Sequence, residues 1–565
     1  MSNSLQEAMI SNDYYDYIIP SIVDLSSLTD LLPEIRVLKI DSEYSLLIVP
    51  APRNPALFEF TRYNTIPNLF MLQDTTSLEV SGITQVQNLT NLNLTGEGVL
   101  IGFIDTGIDY TNRVFRDAAG NTRIEAIWDQ SIQGGPTPEN FPYGTEYLKD
   151  DIDRALRSEN PQEVVPSTDT NGHGTFLASI TAGTAIPEED FIGAAPRAAI
   201  AMVKLKEAKN YLKEFFYFSG SDPVFQESDI IIAYSYLRNL ALKLHLPLVV
   251  CIGLGTNQGD HAGGMPLSSV LSGTTALIMN AVVVATGNEA GRAHHFFGEL
   301  PENVSYETVE VLVPEGSSGF FLELWVRSPD AFSVGFVSPT GEVVNRIPFG
   351  LNNTVNAGFI LDPTTIEVHY ETVQTVSGSQ LIFMRFRQPS PGIWRIRVYG
   401  PRVLFGTFHM WLPIYGFTDP DIVFLQPDAY TTLTSPSDAS NVVATGTYDA
   451  YTNGLYLNSG RGNTALGIQK PDFCAPGVNL TGMNTRGNLT SRTGSCLAAG
   501  LTAGSAALIM EWGLRRNPYI LFNSAEIRDF LIRGTVRDSG TVYPNREWGY
   551  GKMNVYRSFA SFFER

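Results

Sequence analysis

Residues 491–510 read Ser-Arg-Thr-Gly-Ser-Cys-Leu-Ala-Ala-Gly-Leu-Thr-Ala-Gly-Ser-Ala-Ala-Leu-Ile-Met, a polar glycine-containing turn running into small residues at helical spacing. A helix this thin on its surface is stable only where neighbours approach its backbone closely, which points to packing against a sheet. Its first turn presents unpaired backbone N–H groups and the positive end of the helix dipole. A nucleophile placed there gains stabilisation for its own anion and for an oxyanion forming beside it. The same pattern also describes a buried alanine-rich core helix with a serine cap. Two motifs upstream decide between these readings.

The first is Leu-Thr-Gly-Glu-Gly-Val-Leu-Ile-Gly-Phe-Ile-Asp-Thr-Gly-Ile-Asp at 94–109. Residues 99–104 form a nearly continuous apolar run, as a parallel strand buried on both faces requires. It ends at Asp105, so a carboxylate stands at the carboxyl end of a strand, where open α/β sheets build their sites. The second is Asp-Thr-Asn-Gly-His-Gly-Thr at 169–175, which sets His173 between two glycines just before a run of small and apolar residues. Glycine on either side lets other backbone come close to the imidazole. Further on, an amphipathic helical pattern over 227–245 leads into a buried strand at 246–254, and 281–285 forms another such strand, ending in Thr-Gly-Asn-Glu. Repeated strand–helix alternation predicts a doubly wound α/β domain with a parallel sheet.

A chain of 565 residues exceeds one hydrophobic core and implies two or three domains. Residues 1–73 read as a small α+β unit, with strands at 36–40 and 44–49, a short helix at 54–63 and an extended segment at 65–74. Residues 301–415 change character: Val309, Val311 and Val313, then Phe320, Leu322, Leu324 and Val326, then Trp394, Ile396 and Val398 alternate with other residues. Period-two runs separated by Pro/Gly turns predict an inserted all-β sandwich or jelly roll. The α/β domain then occupies 74–300 and 416–565. A net charge of −20 argues against nucleic acid as a partner. Three cysteines cannot build a disulfide framework, which suits a reducing compartment. The N-terminus lacks the basic and apolar regions of a signal peptide, and no uninterrupted apolar run approaches the roughly 20 residues that span a bilayer. The expectation is a cytoplasmic or spore-associated protein without a membrane partner.

Taken together, Asp105, His173 and the turn at 494–496 supply acid, base and nucleophile in the chain order used by subtilisin-type enzymes. Ile-Asp-Thr-Gly at 104–107, Asn-Gly-His-Gly-Thr at 171–175, Ala-Thr-Gly-Asn at 285–288 and Lys-Pro-Asp followed by Ala-Pro-Gly at 470–477 resemble the blocks of the subtilase peptidase family. The resemblance covers about 90–300 and 430–560. The layout is similar to that of the clostridial spore germination proteases, which carry a prodomain and a jelly-roll insert. This resemblance implies that 1–73 is a prodomain acting as intramolecular inhibitor and chaperone, with a junction near Gln73-Asp74. It implies that His173 is the general base, that Asp105 orients it, and that Asn288 donates to the oxyanion. Gly253, Leu254 and Gly255 would form the strand on which an extended peptide substrate pairs. Neither a metal nor a cofactor is implied.

One departure matters. The family pattern Gly-Thr-Ser-x-Ala-Ala aligns with Gly-Ser-Cys-Leu-Ala-Ala at 494–499, so the nucleophile position is Cys496. Using Ser495 instead would turn the nucleophile by about 100° around the helix. Two functions stand: an endopeptidase working through Cys496, and a pseudoprotease that keeps the groove as a peptide-binding or germinant-sensing module.

Overall fold

Leu100–Asp105 and Asn280–Ala285 are six-residue strands buried along their whole length, and Leu248–Ile252 is equally enclosed. They lie inside an eight-stranded sheet in a computed structural model that describes residues 2–22, 32, 34–51, 62–72, 81–88, 92–274, 277–301, 304–350, 353–372, 378–400, 403–516 and 522–563. The order runs Phe473–Pro476, Val443–Tyr448, Asn280–Ala285, Leu248–Ile252, Leu100–Asp105, Ala199–Lys204, Ile124–Asp129, Thr145–Leu148. The pairs from Phe473–Pro476 through Ile124–Asp129 are parallel, but Thr145–Leu148 closes the edge antiparallel. The sheet is therefore mixed, and the expected all-parallel order holds everywhere except at that edge.

Because strand side chains alternate between faces, each strand feeds two cores. Ile101, Phe103, Val249 and Cys251 join a cluster with Phe176, Leu177, Leu497 and Leu501. Leu100, Ile104, Val250 and Ile252 join another with Ile230, Leu237 and Leu267. On the first face, the helix Ser495–Arg516 packs on the sheet and on the helix His173–Ala182. Its small residues are what permit this approach: a Cβ on Gly504 would fall 2.4 Å from Ala194 Cβ and 3.1 Å from Thr181 O. Among the described helices it alone is long and apolar enough to cross a membrane, and it lies buried within the fold.

At the N-terminus, Arg36–Lys39 and Tyr44–Pro50 form the expected hairpin. A third strand, Tyr14–Pro20, pairs along the other edge of Tyr44–Pro50. The helix expected at 54–63 and the junction at Gln73-Asp74 lie largely outside the described residues; Tyr63 itself opens a 3-10 turn.

Separate antiparallel sheets of six and five strands run between His295 and Phe424 and enclose their own core. Val309, Val311, Leu322, Leu324, Trp394 and Ile396 all face into it. The alternation misled in one respect. Gly319–Val326 is buried on both faces, because Phe321 and Trp325 pack in a second cluster with Tyr63, Leu69, Met71, Phe215 and Phe216. Buried Glu323 serves this junction: it accepts from Tyr63 Oη, from Trp325 Nε1 at 2.8 Å and from Gly259 N at 3.0 Å.

Candidate functional site

Asp105 ends the central strand, and His173 opens the helix His173–Ala182. Gly172 precedes it with φ of 84°, a left-handed turn that glycine adopts without penalty. Gly174 is required by proximity, since a Cβ there would lie 2.2 Å from Gly107 O. Asp169 fixes this turn, accepting from Gly172 N at 2.8 Å and from Thr175 N and Oγ1 at 2.8 and 2.7 Å. The Thr106 hydroxyl sits between Asp105 Oδ1 and Asp169 Oδ1, at 3.2 and 2.9 Å, and accepts from Gly174 N. The sequence motif contained Asp169, but nothing in its spacing marked it as the brace of the imidazole loop.

His173 Nδ1 lies 2.8 and 2.9 Å from the two oxygens of Asp105. Its ring also hydrogen-bonds Cys496. Burial pushes the imidazolium down, but the negative charges of Asp105 and Cys496 outweigh it and hold the His173 pKa well above the ordinary value. Both groups are enclosed: His173 is 2% exposed and Cys496 fully buried. Cys496 stands in the first turn of Ser495–Arg516, where backbone N–H groups have no partner within the helix. Three side chains separated in the sequence by 68 and 323 positions thus form one chain of contacts, Asp105 to His173 to Cys496.

Asn288 is brought to the same place. Its Oδ1 accepts from Ser495 N at 3.2 Å, and the side chain lines a cavity of about 200 Å³ with Leu72, Glu289, Arg292, Tyr415 and Tyr456. Gly253 borders the thiol directly, since a Cβ there would meet Cys496 Cβ at 3.1 Å and His173 Cε1 at 3.2 Å. Leu254–Gly255 is a short strand, and its partner is Leu69–Leu72, with Leu72 opposite Leu254 and Met71 opposite Gly255. On its other edge Leu69–Leu72 pairs with Phe225–Gln226. The N-terminal segment is therefore the middle strand of three in this groove. Its Phe70 is fully buried among Leu100, Phe225, Ile231 and Leu254.

The other two thiols are remote in character. Cys251 lies mid-strand and Cys474 in an edge strand; burial raises both thiol pKa values. All three cysteines are free. Among the described residues, no group of three or more His, Cys, Asp or Glu side chains gathers to hold a metal ion.

The model of the subtilase family matches residues 96–320 and 425–551. The structure of the CspB protease of Clostridium perfringens superposes with a TM-score of 0.76 at 32% identity, covering 86% of this chain and 98% of that one. Subtilisin-like protease SBT3.3 of Arabidopsis thaliana is 29% identical over 163 residues, 25% of this chain, and SBT3.13 of the same plant is 21% identical over 484 residues. The chain spans 20% of the length of SBT3.3 and 59% of SBT3.13. With the family model covering both halves of the α/β sheet and the Asp105–His173–Cys496 arrangement lying within them, the chain belongs to the subtilase family.

Proposed function

We propose that this protein is an endopeptidase that cleaves peptide bonds through Cys496, with His173 as general base and acid and Asp105 as its orienting partner. The observation that carries the reading is the continuous contact from Asp105 through His173 to Cys496 at a helix N-terminus. A thiolate paired with the imidazolium attacks the scissile carbonyl, and His173 then protonates the leaving amine. The charge on the carbonyl oxygen develops beside the Cys496 N–H and the Asn288 side chain, which act as the oxyanion donors. An extended substrate adds as a strand to Gly253, Leu254 and Gly255. Residues 1–73 serve as a prodomain whose tail fills that groove; the pairing of Leu69–Leu72 between the two groove strands supports this. Buried Phe70 would then mark a hydrophobic subsite. The inserted sheets between His295 and Phe424 are read as a jelly roll that braces prodomain and enzyme together. The similarity in layout to clostridial germination proteases favours a spore-associated protein substrate.

The test is hydrolysis of a peptide library by the full-length chain. Cys496→Ala and His173→Ala are each expected to lose at least about a thousandfold in kcat/KM. Parental activity in Cys496→Ala would overturn the assignment, since another group must then attack. One observation favours a second reading, a pseudoprotease that binds or senses peptides: the thiol is fully buried beside a groove already holding a strand. A parent that binds peptide but never cleaves it would establish that alternative.

A further inference from the structure

The six-stranded sheet of the inserted region packs toward the α/β part through Phe321, Trp325 and Phe383, so the five-stranded sheet turns its far face outward. Strand alternation says which side chains that face carries. Trp394, Ile396 and Val398 point into the core, so Arg395, Arg397 and Tyr399 of the same strand, Gly392–Tyr399, point out. Arg346, on the strand Val343–Ile347, joins them. Its Nε donates to Ser333 Oγ at 2.7 Å, and Ser333 is the register partner of Tyr399.

The three arginines differ in their partners. Arg395 stands opposite Glu310 and pairs with it at 2.8 Å, an ordinary cross-strand ion pair. Arg397 stands opposite Thr308 on one side and Gly335 on the other, and neither offers a counter-charge. Its guanidinium lies 5.1 Å from the centre of the exposed Tyr306 ring. The Arg346 guanidinium lies 5.8 Å from the centre of Tyr399, and the two tyrosine rings meet at 5.2 Å. The result is one continuous array, Arg397 to Tyr306 to Tyr399 to Arg346. Among the described residues, neither Arg346 nor Arg397 pairs with a carboxylate. The acid nearest to Arg346 in the chain, Glu342, is taken up by the backbone N–H groups of Ile360, Leu361 and Asp362.

A chain with 58 acidic and 38 basic residues has carboxylates to spare, so two arginines left without one on a single face mark a surface complementary to an external anion. Stacking on a ring holds a guanidinium in place and leaves its N–H edge free to take a carboxylate through two parallel bonds. The same stacking decides the kind of anion. A sugar or a nucleobase needs an aromatic face to itself, whereas here Arg397 lies over Tyr306 and Arg346 over Tyr399. A net charge of −20 also repels a polyphosphate backbone. Arg346 and Arg397 sit on the strands either side of Ser333–Val337. Their backbones are therefore about 10 Å apart, a span that two carboxylates on one peptide segment can cover. We infer that Arg346 and Arg397 dock an acidic segment of a protein partner on the outer face of the five-stranded sheet. The inference holds whether or not Cys496 turns over, because this face belongs to the inserted region and lies apart from the groove.

The experiment follows fluorescence anisotropy of a labelled peptide of alternating Glu and Gly as the full-length protein is added at low salt, beside the same peptide with Gln in place of Glu. The Glu peptide is expected to bind about tenfold or more tighter, and to lose that advantage as salt is raised. Arg346→Gln combined with Arg397→Gln should bring the two peptides to parity. Arg346→Lys combined with Arg397→Lys, which keeps the charge without the paired N–H edge, should fall between. Arg387→Gln removes an exposed arginine from the six-stranded sheet and should bind as the parent does. Equal binding of the Glu and Gln peptides, or a Glu preference undiminished in the double Gln variant, overturns the inference. Tighter binding of polygalacturonate or of a single-stranded oligonucleotide than of the Glu peptide overturns it as well.

Discussion

At the scale of single residues, the chemistry turns on sulfur standing where the family places oxygen. A thiolate leaves more readily than an amine, so on the proposed endopeptidase reading a tetrahedral adduct on Cys496 would collapse backwards when the substrate is an amide. An ester carries a better leaving group and escapes that handicap. The expected outcome is an ester-to-amide rate ratio at least about tenfold higher in the parent than in Cys496→Ser, measured on matched substrates. Cys496→Ser should also hydrolyse amides faster than the parent. Iodoacetamide should label Cys496 before Cys251 and Cys474, whose thiols are raised by burial, and His173→Ala should slow that labelling. Because Cys496 is fully buried, labelling of the intact protein waits on opening of the groove. Mass mapping of the labelled cysteines over time checks both statements. Asp105 and His173 were legible in the sequence because each sits in a short motif whose glycines are needed locally, and Cys496 because it opens a helix of small residues. Arg292 and Tyr415 were not, since they lie 123 positions apart in the chain and meet only after the β strands have folded.

At the scale of elements, the central strands announced themselves by continuous apolar runs, and the hairpin at 36–49 by two strand-like runs joined by a polar turn. The strand Tyr14–Pro20 did not, because its tyrosines and Asp16 look like a polar stretch. Asp16 is in fact buried, paired with Lys209 at 2.8 Å and with Gln226 Nε2 at 2.8 Å. Only a partner distant in sequence makes that carboxylate tolerable inside. Removing one partner should therefore be costly: Lys209→Met is expected to destabilise by about 3 kcal/mol or more in urea unfolding. The groove strand Leu69–Leu72 makes a similar case. Phe70→Ala leaves a cavity in a core shared with Phe225 and Leu254 and should cost about 3 kcal/mol by the same measurement. A change below about 0.5 kcal/mol would mean that the segment contributes nothing to the packed fold.

At the scale of the whole molecule, buried carboxylates tie the N-terminal segment to both larger parts. Glu227 accepts from Asn68 N and Leu267 N, and Glu323 accepts from Tyr63 Oη and Gly259 N. Burial pushes each carboxyl up to about 7 from an ordinary value of 4.5. The folded chain then binds more protons than the unfolded chain between those values, so these two groups make stability fall as pH rises from about 4.5 to 7. Thermal unfolding followed across pH 5 to 8 should show a shallower decline in Glu323→Gln than in the parent; an unchanged slope would remove Glu323 from the account. The same anchorage has a kinetic meaning. Leu69–Leu72 sits between Phe225–Gln226 and Leu254–Gly255 while belonging to the same chain. A tethered occupant presents itself at an effective concentration on the order of millimolar. If this groove takes substrate as proposed, a free peptide would have to compete with that local supply, and its apparent affinity would report the rarity of a vacant groove more than the quality of its own fit. Substrates delivered at low concentration would find the groove shut, and those held close by a docking contact would find it open.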